Sequence, residues 1–149
     1  MILYIDGDAF PNLLKPVVLR AILKHSISTV IIANKRVTIG ISKNITNIQV
    51  GSGPDEADNK IAELATEGDL VITSDIPLAD RVIDKKAFVI DHRGRFYDAD
   101  NIKQALAIRN LMQEIRDGGE TLKGQKSISG KAVREFANQL NQFLRKKLK

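Results

Sequence analysis

The sequence predicts an α/β fold: a mainly parallel central sheet flanked by helices. Three observations carry this expectation. The runs Ile2-Leu3-Tyr4-Ile5 and Leu70-Val71-Ile72-Thr73 are unbroken and apolar, as strands buried on both faces are. Helical patterns fill the stretches between such runs. Each run also ends at an acid, Asp6 and Asp75, and an open α/β sheet has its ligand crevice just beyond the carboxyl ends of its strands.

Strands are expected over residues 2–5, 29–33, 36–41, 48–50, 70–73 and 87–90. A first helix over 17–25 follows Pro11 and Pro16; Pro16 argues against one helix running unbroken from Pro11. Asp55 suits the N-cap of a helix over 56–67, whose Ala57, Ile61, Leu64 and Ala65 recur at helical spacing before Gly68 ends it. Pro77 starts a short helix to residue 84, and residues 91–95 form a turn. Asp100 then caps a helix that reaches Arg116 and stops at Gly118-Gly119. The polar, glycine-containing stretch 119–130 reads as a mobile loop beside the site. In the last helix, over 132–148, Val133, Phe136, Leu140, Phe143 and Leu144 form one stripe, so this helix should pack on the body.

At 149 residues the chain is expected to form one domain. It carries 23 basic and 18 acidic residues, a net charge of +5. The surplus concentrates late, where Lys123, Lys126, Lys131, Arg134 and the run Arg145-Lys146-Lys147 face a single acid, Glu135. A polyanionic partner would explain this, and so would a helix end whose dipole favours cations. Cysteine is absent, which removes disulfides, thiolate nucleophiles and cysteine-based zinc sites. Asp6 and Asp8 interrupt the first apolar run, and no run approaches the roughly 20 residues that span a bilayer. A soluble, cytoplasmic protein without a membrane partner is expected.

The candidate chemistry is carboxylate chemistry. Asp6 and Asp8 are two positions apart, so in an extended segment both point the same way, and Gly7 between them would let a ligand approach closely. Asp58 lies in a first helical turn with Asp55 and Glu56. That position is stabilised by the dipole alone, yet Asp58 borders the buried face formed by Ala57, Ile61 and Ala62. Asp75 closes a strand after Thr73-Ser74; capping the helix at Pro77 is the ordinary explanation, and a partner across the sheet is the functional one. Clustered carboxylates repel unless a cation or a shared proton offsets the cost, and hard oxygen ligands favour Mg²⁺ or Mn²⁺. Asp55, Thr73 and Asp80 are secondary candidates. Asn34 would line the crevice or satisfy a turn, and neither His25 nor His92 has metal-ligand spacing to another histidine.

These residues carry a resemblance. Asp6-Gly7-Asp8-Ala9-Phe10-Pro11, Ala33-Asn34, Asp55-Glu56-Ala57-Asp58, the run from Gly68 through Asp75-Ile76-Pro77-Leu78-Ala79, Arg93-Gly94, Asn101-Ile102 and Arg109 resemble the signature of the YaiI/YqxD-type bacterial proteins over residues 1–118. That family is similar to the PIN and NYN nuclease superfamily. The resemblance implies a PIN-like three-layer fold in which acids hold Mg²⁺ or Mn²⁺ for RNA cleavage by an activated water. Asp6 and Asp8 match the first-strand position, Asp58 the helix position and Asp75 the later-strand position. Asn34, Ser74, Arg93, Asn101, Arg109, Lys126 and Lys131 would then contact substrate, the cations holding backbone without reading bases. Two departures stand out: Phe10 replaces the family's usual Cys, and the usual charged residues near the last helix are replaced around Gly130-Lys131.

Two other readings compete. Asp-x-Asp after a first strand also resembles the nucleophile motif of haloacid-dehalogenase-type phosphatases, with Asp6 as nucleophile, Asp8 as acid and base, Thr73 in the second motif and Lys85 or Lys86 as the lysine. The chain would otherwise be a PIN-like module that binds RNA or protein without catalysis. Self-association is left open.

Overall fold

The computed structural model describes residues 1–119 and 128–148. Six strands make one sheet: β1 Ile2–Asp6, β2 Ser28–Ala33, β3 Ile45–Gln49, β4 Leu70–Ile72, β5 Phe88–Ile90 and β6 Phe96–Tyr97. Their order is β3-β2-β1-β4-β5-β6, every pairing parallel except β5 with β6. Among the described residues there are five α-helices, α1 Lys15–His25, α2 Glu56–Leu64, α3 Ile76–Asp84, α4 Ile102–Asp117 and α5 Gly130–Lys147, with a 3₁₀ turn at Asn12–Leu14.

Strand alternation sorts the core into two layers. Leu3, Ile5, Ile31, Leu70 and Ile72 face α1 and α5, whose Val18, Ile22, Phe136, Leu140 and Leu144 are buried against them. Tyr4, Ile32, Val71 and Val89 face the other way, onto Ala57 and Ile61 of α2, Leu78 and Val82 of α3, and Ile102 of α4. The fold is therefore a three-layer α/β arrangement. The same alternation puts Asp6, two residues after Tyr4, and Thr73, two after Val71, on the side of α2 and α3. The chain winds outward from β1 through β2 to β3, then returns through α2 to β4 and continues to β5 and β6. Winding reverses between β1 and β4, and the crevice of such a sheet lies at the reversal.

Several sequence expectations are corrected. Residues 36–41 are not a strand. Val37 and Ile39 are buried in the α1/α5 layer but pair with no neighbour, and at Gly40 the side chain of Leu19 fills the space a Cβ would need. Their alternation reflects burial alone. The next strand begins at Ile45 rather than 48, and β6 was not expected at all. Helix α2 ends at Leu64, before Gly68, and Asp55 occupies its N-cap without a side-chain cap bond. At α4 it is Asp98 that holds the first turn, accepting from the amides of Asp100 and Asn101, each at 2.9 Å, so Asp100 is not the cap. Helix α5 starts at Gly130, capped by Ser129 Oγ, which accepts from Ala132 N–H at 3.2 Å. The expected mobile loop falls mostly on residues 120–127, outside the described residues. Among the described residues no helix is long and apolar enough to cross a membrane.

Candidate functional site

The acids at the strand ends converge. Asp6, the last residue of β1, accepts a hydrogen bond on Oδ2 from Thr73 Oγ1 at 2.9 Å, across the reversal of winding. Thr73 Oγ1 in turn accepts from Asp75 N–H at 3.0 Å. Asp75 Oδ1 caps α3 by accepting from Leu78 N–H at 3.0 Å, so the ordinary reading of Asp75 is correct for one oxygen. Asp58 comes in from the first turn of α2 and, when protonated, donates to Asp75.

Electrostatics tie the group together. Burial pushes the Asp58 carboxyl up to about 7, with the charges of Asp75, Asp6 and Asp55 adding to it. The Asp6 carboxyl is also raised, by burial first and by Asp75 and Asp8; the Thr73 hydroxyl and the Asp8 amide oppose the rise. A low-dielectric pocket shared by several carboxylates holds a proton that water would remove. Among the described residues, no three His, Cys, Asp or Glu side chains stand arranged so as to hold a metal ion without moving. The donor set is oxygen only, and its chemistry fits a hard divalent cation in place of the proton that Asp58 shares with Asp75.

Asp8 adds its charge to the rise of Asp6 and uses one oxygen elsewhere. Its Oδ1 accepts from Asn34 N–H at 2.7 Å, turning toward β2. Gly7 is also explained otherwise: a Cβ there would meet Ala33 Cβ at 3.0 Å and Ile31 Cγ2 at 3.1 Å, so the missing side chain accommodates β2 and not a ligand.

Beside the acids opens a cleft of about 610 Å³, lined by Asn12, Leu13, Ser74, Ile76, His92, Arg93 and Arg95 among others. Its far wall is the turn from Asp91 to Arg95. Buried Asp91 organises this turn, Oδ1 accepting from the amides of Arg93 and Arg95, both at 2.9 Å, and Oδ2 from Tyr97 OH at 3.3 Å. At Gly94, where φ is +88°, an added Cβ would lie 2.9 Å from the Glu135 carbonyl oxygen, so α5 presses directly on the turn. Ser74 Oγ accepts from His92 N–H at 3.3 Å and joins the two walls. Ile76, Arg95 and Tyr97 are shared with a second hollow of about 460 Å³ that runs to Asn101, just before α4, and Arg109 within it.

The family model described as "Uncharacterized BCR, YaiI/YqxD family" matches residues 4–146. The chain belongs to the YaiI/YqxD family. It is 57% identical to a UPF0178 protein of Sulfurimonas denitrificans over 99% of this chain and 98% of that one. It is 52% identical to a UPF0178 protein of Nitratiruptor (98% of this chain, 96% of that one) and 40% identical to one of Maridesulfovibrio salexigens (99% and 98%). No solved structure matches.

In this YaiI/YqxD protein the structure brings Asp6, Asp58, Asp75 and Thr73 together, with Asp8 and Asp55 at the margin. Ser74 and Arg93 line the adjoining cleft, and Asn34 lies beside Asp8. Asp80 is elsewhere, paired with Lys103 Nζ at 2.6 Å. Lys131 is exposed in the first turn of α5 and lines none of the hollows described above, and Lys126 lies outside the described residues. The basic end of α5 is not at the site either. Lys147 Nζ sits 4.6 Å from the ring centre of Phe88, the first residue of β5 and hence at the opposite end of the sheet from the acids. Both histidines have a buried Nε2 with no hydrogen-bond partner among the described residues, and burial lowers the pKa of each. His92 packs its ring edge-on against Phe10, centroids 5.6 Å apart. Sequence reasoning missed Leu13, Ile76 and Arg95 as cleft residues; only Arg95, within the 91–95 turn, carried a visible signal.

Proposed function

We propose that this protein is a divalent-metal-dependent phosphodiester hydrolase acting on RNA. The observation that carries the reading is the convergence of Asp6, Asp58 and Asp75, three acids from β1, α2 and the β4–α3 junction, at the reversal of sheet winding, where Thr73 links Asp6 to Asp75 and the charge of Asp75 helps to raise the carboxyls of Asp6 and Asp58. Asp6, Asp58 and Asp75 would hold Mg²⁺ or Mn²⁺. When bound, such an ion lowers the pKa of the attacking water and offsets charge developing on the phosphoryl oxygens. Thr73 holds the Asp6 carboxylate in place, and α3 fixes Asp75 through its cap. Asp8 positions the β2 end through Asn34. Arg93 and Arg95 supply cations for the strand backbone.

The test is cleavage of single-stranded and structured RNA by repurified protein with Mn²⁺. The expected result is cleavage that chelator abolishes and that Asp6→Asn and Asp75→Asn lose. Activity that persists in both variants, or no cleavage by the unsubstituted chain, overturns the reading.

One observation favours a non-catalytic binding module: no carboxylate trio stands ready-made for a metal ion among the described residues. RNA binding without metal-dependent cleavage would be its signature. The phosphatase alternative has less support. Lys85 Nζ donates to the carbonyls of Ala62 at 2.6 Å and Glu63 at 3.2 Å, closing the end of α2, and Lys86 precedes β5 at the sheet end opposite Asp6.

A further inference from the structure

We infer that the cleft beside the acids seats one nucleotide unit of a single strand, the unit adjoining the phosphate at Asp6 and Asp75. The position of that phosphate rests on the hydrolase reading; the rest is argued from the cleft. Its volume of about 610 Å³ lies within the range of about 300–1,000 Å³ typical of small-molecule sites. Its lining has two characters. Leu13 and Ile76 offer aliphatic surface for the flat face of a base, while the guanidinium of Arg95 can pair a phosphate in a planar, two-pronged way or stack on a base. Leu13 is 59% exposed although the neighbouring Leu14 is fully buried, so the 3₁₀ turn presents a leucine to the cleft rim instead of to the core. Asn12 and Ser74 add the few polar groups that orient a ligand in such a site.

Location supplies the second half of the case. The acids themselves do not line the cleft, but Ser74 and Ile76 of its lining are the chain neighbours of Asp75, so the cleft adjoins the acid group. The cleft continues past Ile76 and Arg95 into the second hollow, which ends at Arg109, and a strand can follow that path. On the other side of Asp8, the hollow lined by Lys35 and Arg36 holds only about 200 Å³. Recognition of a nucleotide is therefore one-sided.

The experiment uses the full chain in EDTA, so that no metal contributes. Calorimetric titrations compare AMP, UMP, adenosine, inorganic phosphate and a tetranucleotide, and methyl NMR follows Leu13 and Ile76. The expected result is saturable binding of AMP and UMP that exceeds adenosine and phosphate, with the tetranucleotide tighter still. Leu13→Ser and Arg95→Gln should each weaken binding about tenfold. If Leu13→Ser does not fold, Arg95→Gln, on an exposed side chain, and the methyl shifts decide.

No saturable binding, or binding indifferent to both substitutions in folded protein, overturns the inference. Phosphate binding as tightly as AMP reduces the cleft to an anion site, and a tetranucleotide no tighter than AMP rejects the strand; either result overturns it as well. Absence of RNA cleavage with Mn²⁺ would end the hydrolase reading alone, because these titrations contain no metal.

Discussion

The hydroxyl of Thr73 bridges two strands by donating to Asp6 Oδ2 at 2.9 Å while accepting the Asp75 amide at 3.0 Å. Thr73 is fully buried, so removing its oxygen leaves a carboxylate and an amide without their partner. Thr73→Val keeps the shape and should cost about 1–3 kcal/mol in urea unfolding, whereas Thr73→Ser should retain most of the stability. Equal stability of Thr73→Val and the unsubstituted chain would show that the bridge contributes nothing.

Asp58 gives the stability of the metal-free protein an unusual pH dependence. Its folded pKa of about 7 stands above the 3.8 of a free aspartate, so between those limits the native state binds more protons than the unfolded one. This contribution is fully present below about pH 4 and is lost as pH rises through 7. In EDTA, Asp58→Asn should flatten that decline and melt higher than the unsubstituted chain at pH 8. A decline between pH 5 and 8 that is unchanged in Asp58→Asn would count against the assignment.

A divalent ion should reverse that sign, because it replaces the shared proton. Mn²⁺ at about 100 times its dissociation constant should stabilise the fold by about 2.7 kcal/mol, with the effect growing as pH rises. Asp6→Asn and Asp75→Asn should shrink the shift, yet fold normally without metal, since an amide oxygen can still accept from Leu78 N–H. Differential scanning calorimetry with and without Mn²⁺ reads both effects. Unaltered Mn²⁺ shifts in both variants would move the ion elsewhere.

Two glycines separate strain from crowding. Gly68 and Gly94 have similar φ, +86° and +88°, but a Cβ at Gly68 meets nothing within 4 Å while one at Gly94 meets the α5 backbone at 2.9–3.0 Å. Gly68→Ala should cost about 1 kcal/mol. Gly94→Ala should cost clearly more and should also weaken anything that binds the Asp91–Arg95 turn. Comparable unfolding midpoints for the two would mean that α5 yields readily.

The sequence reading succeeded where periodicity and chemistry agreed. The buried runs at β1 and β4 were legible because both faces are apolar, and Asp6, Asp58 and Asp75 were legible because acids recur at strand ends and at a helix start. It failed where burial imitated pairing, as at Val37 and Ile39, and where a strand has only two residues, as at β6. The cleft was the least legible part. Leu13 falls outside every expected element and Ile76 just before the helix start expected at Pro77, and nothing local tells that α5, some forty residues away in sequence, presses the Arg95 turn into a wall. The concentration of charge at Arg145-Lys146-Lys147 suited a polyanionic partner or a plain helix end, and Lys147 lies over Phe88 at the other end of the sheet from the acids.

The order in which the strands are laid down has one last consequence. Because the path splits left and right at β1 and β4, a seam exists there whatever side chains border it; connectivity decides where, and composition decides what for. Replacing Asp6, Asp58 and Asp75 together by asparagine should thus leave an intact but inert framework, onto which a different set of side chains could be grafted without redesigning a single turn.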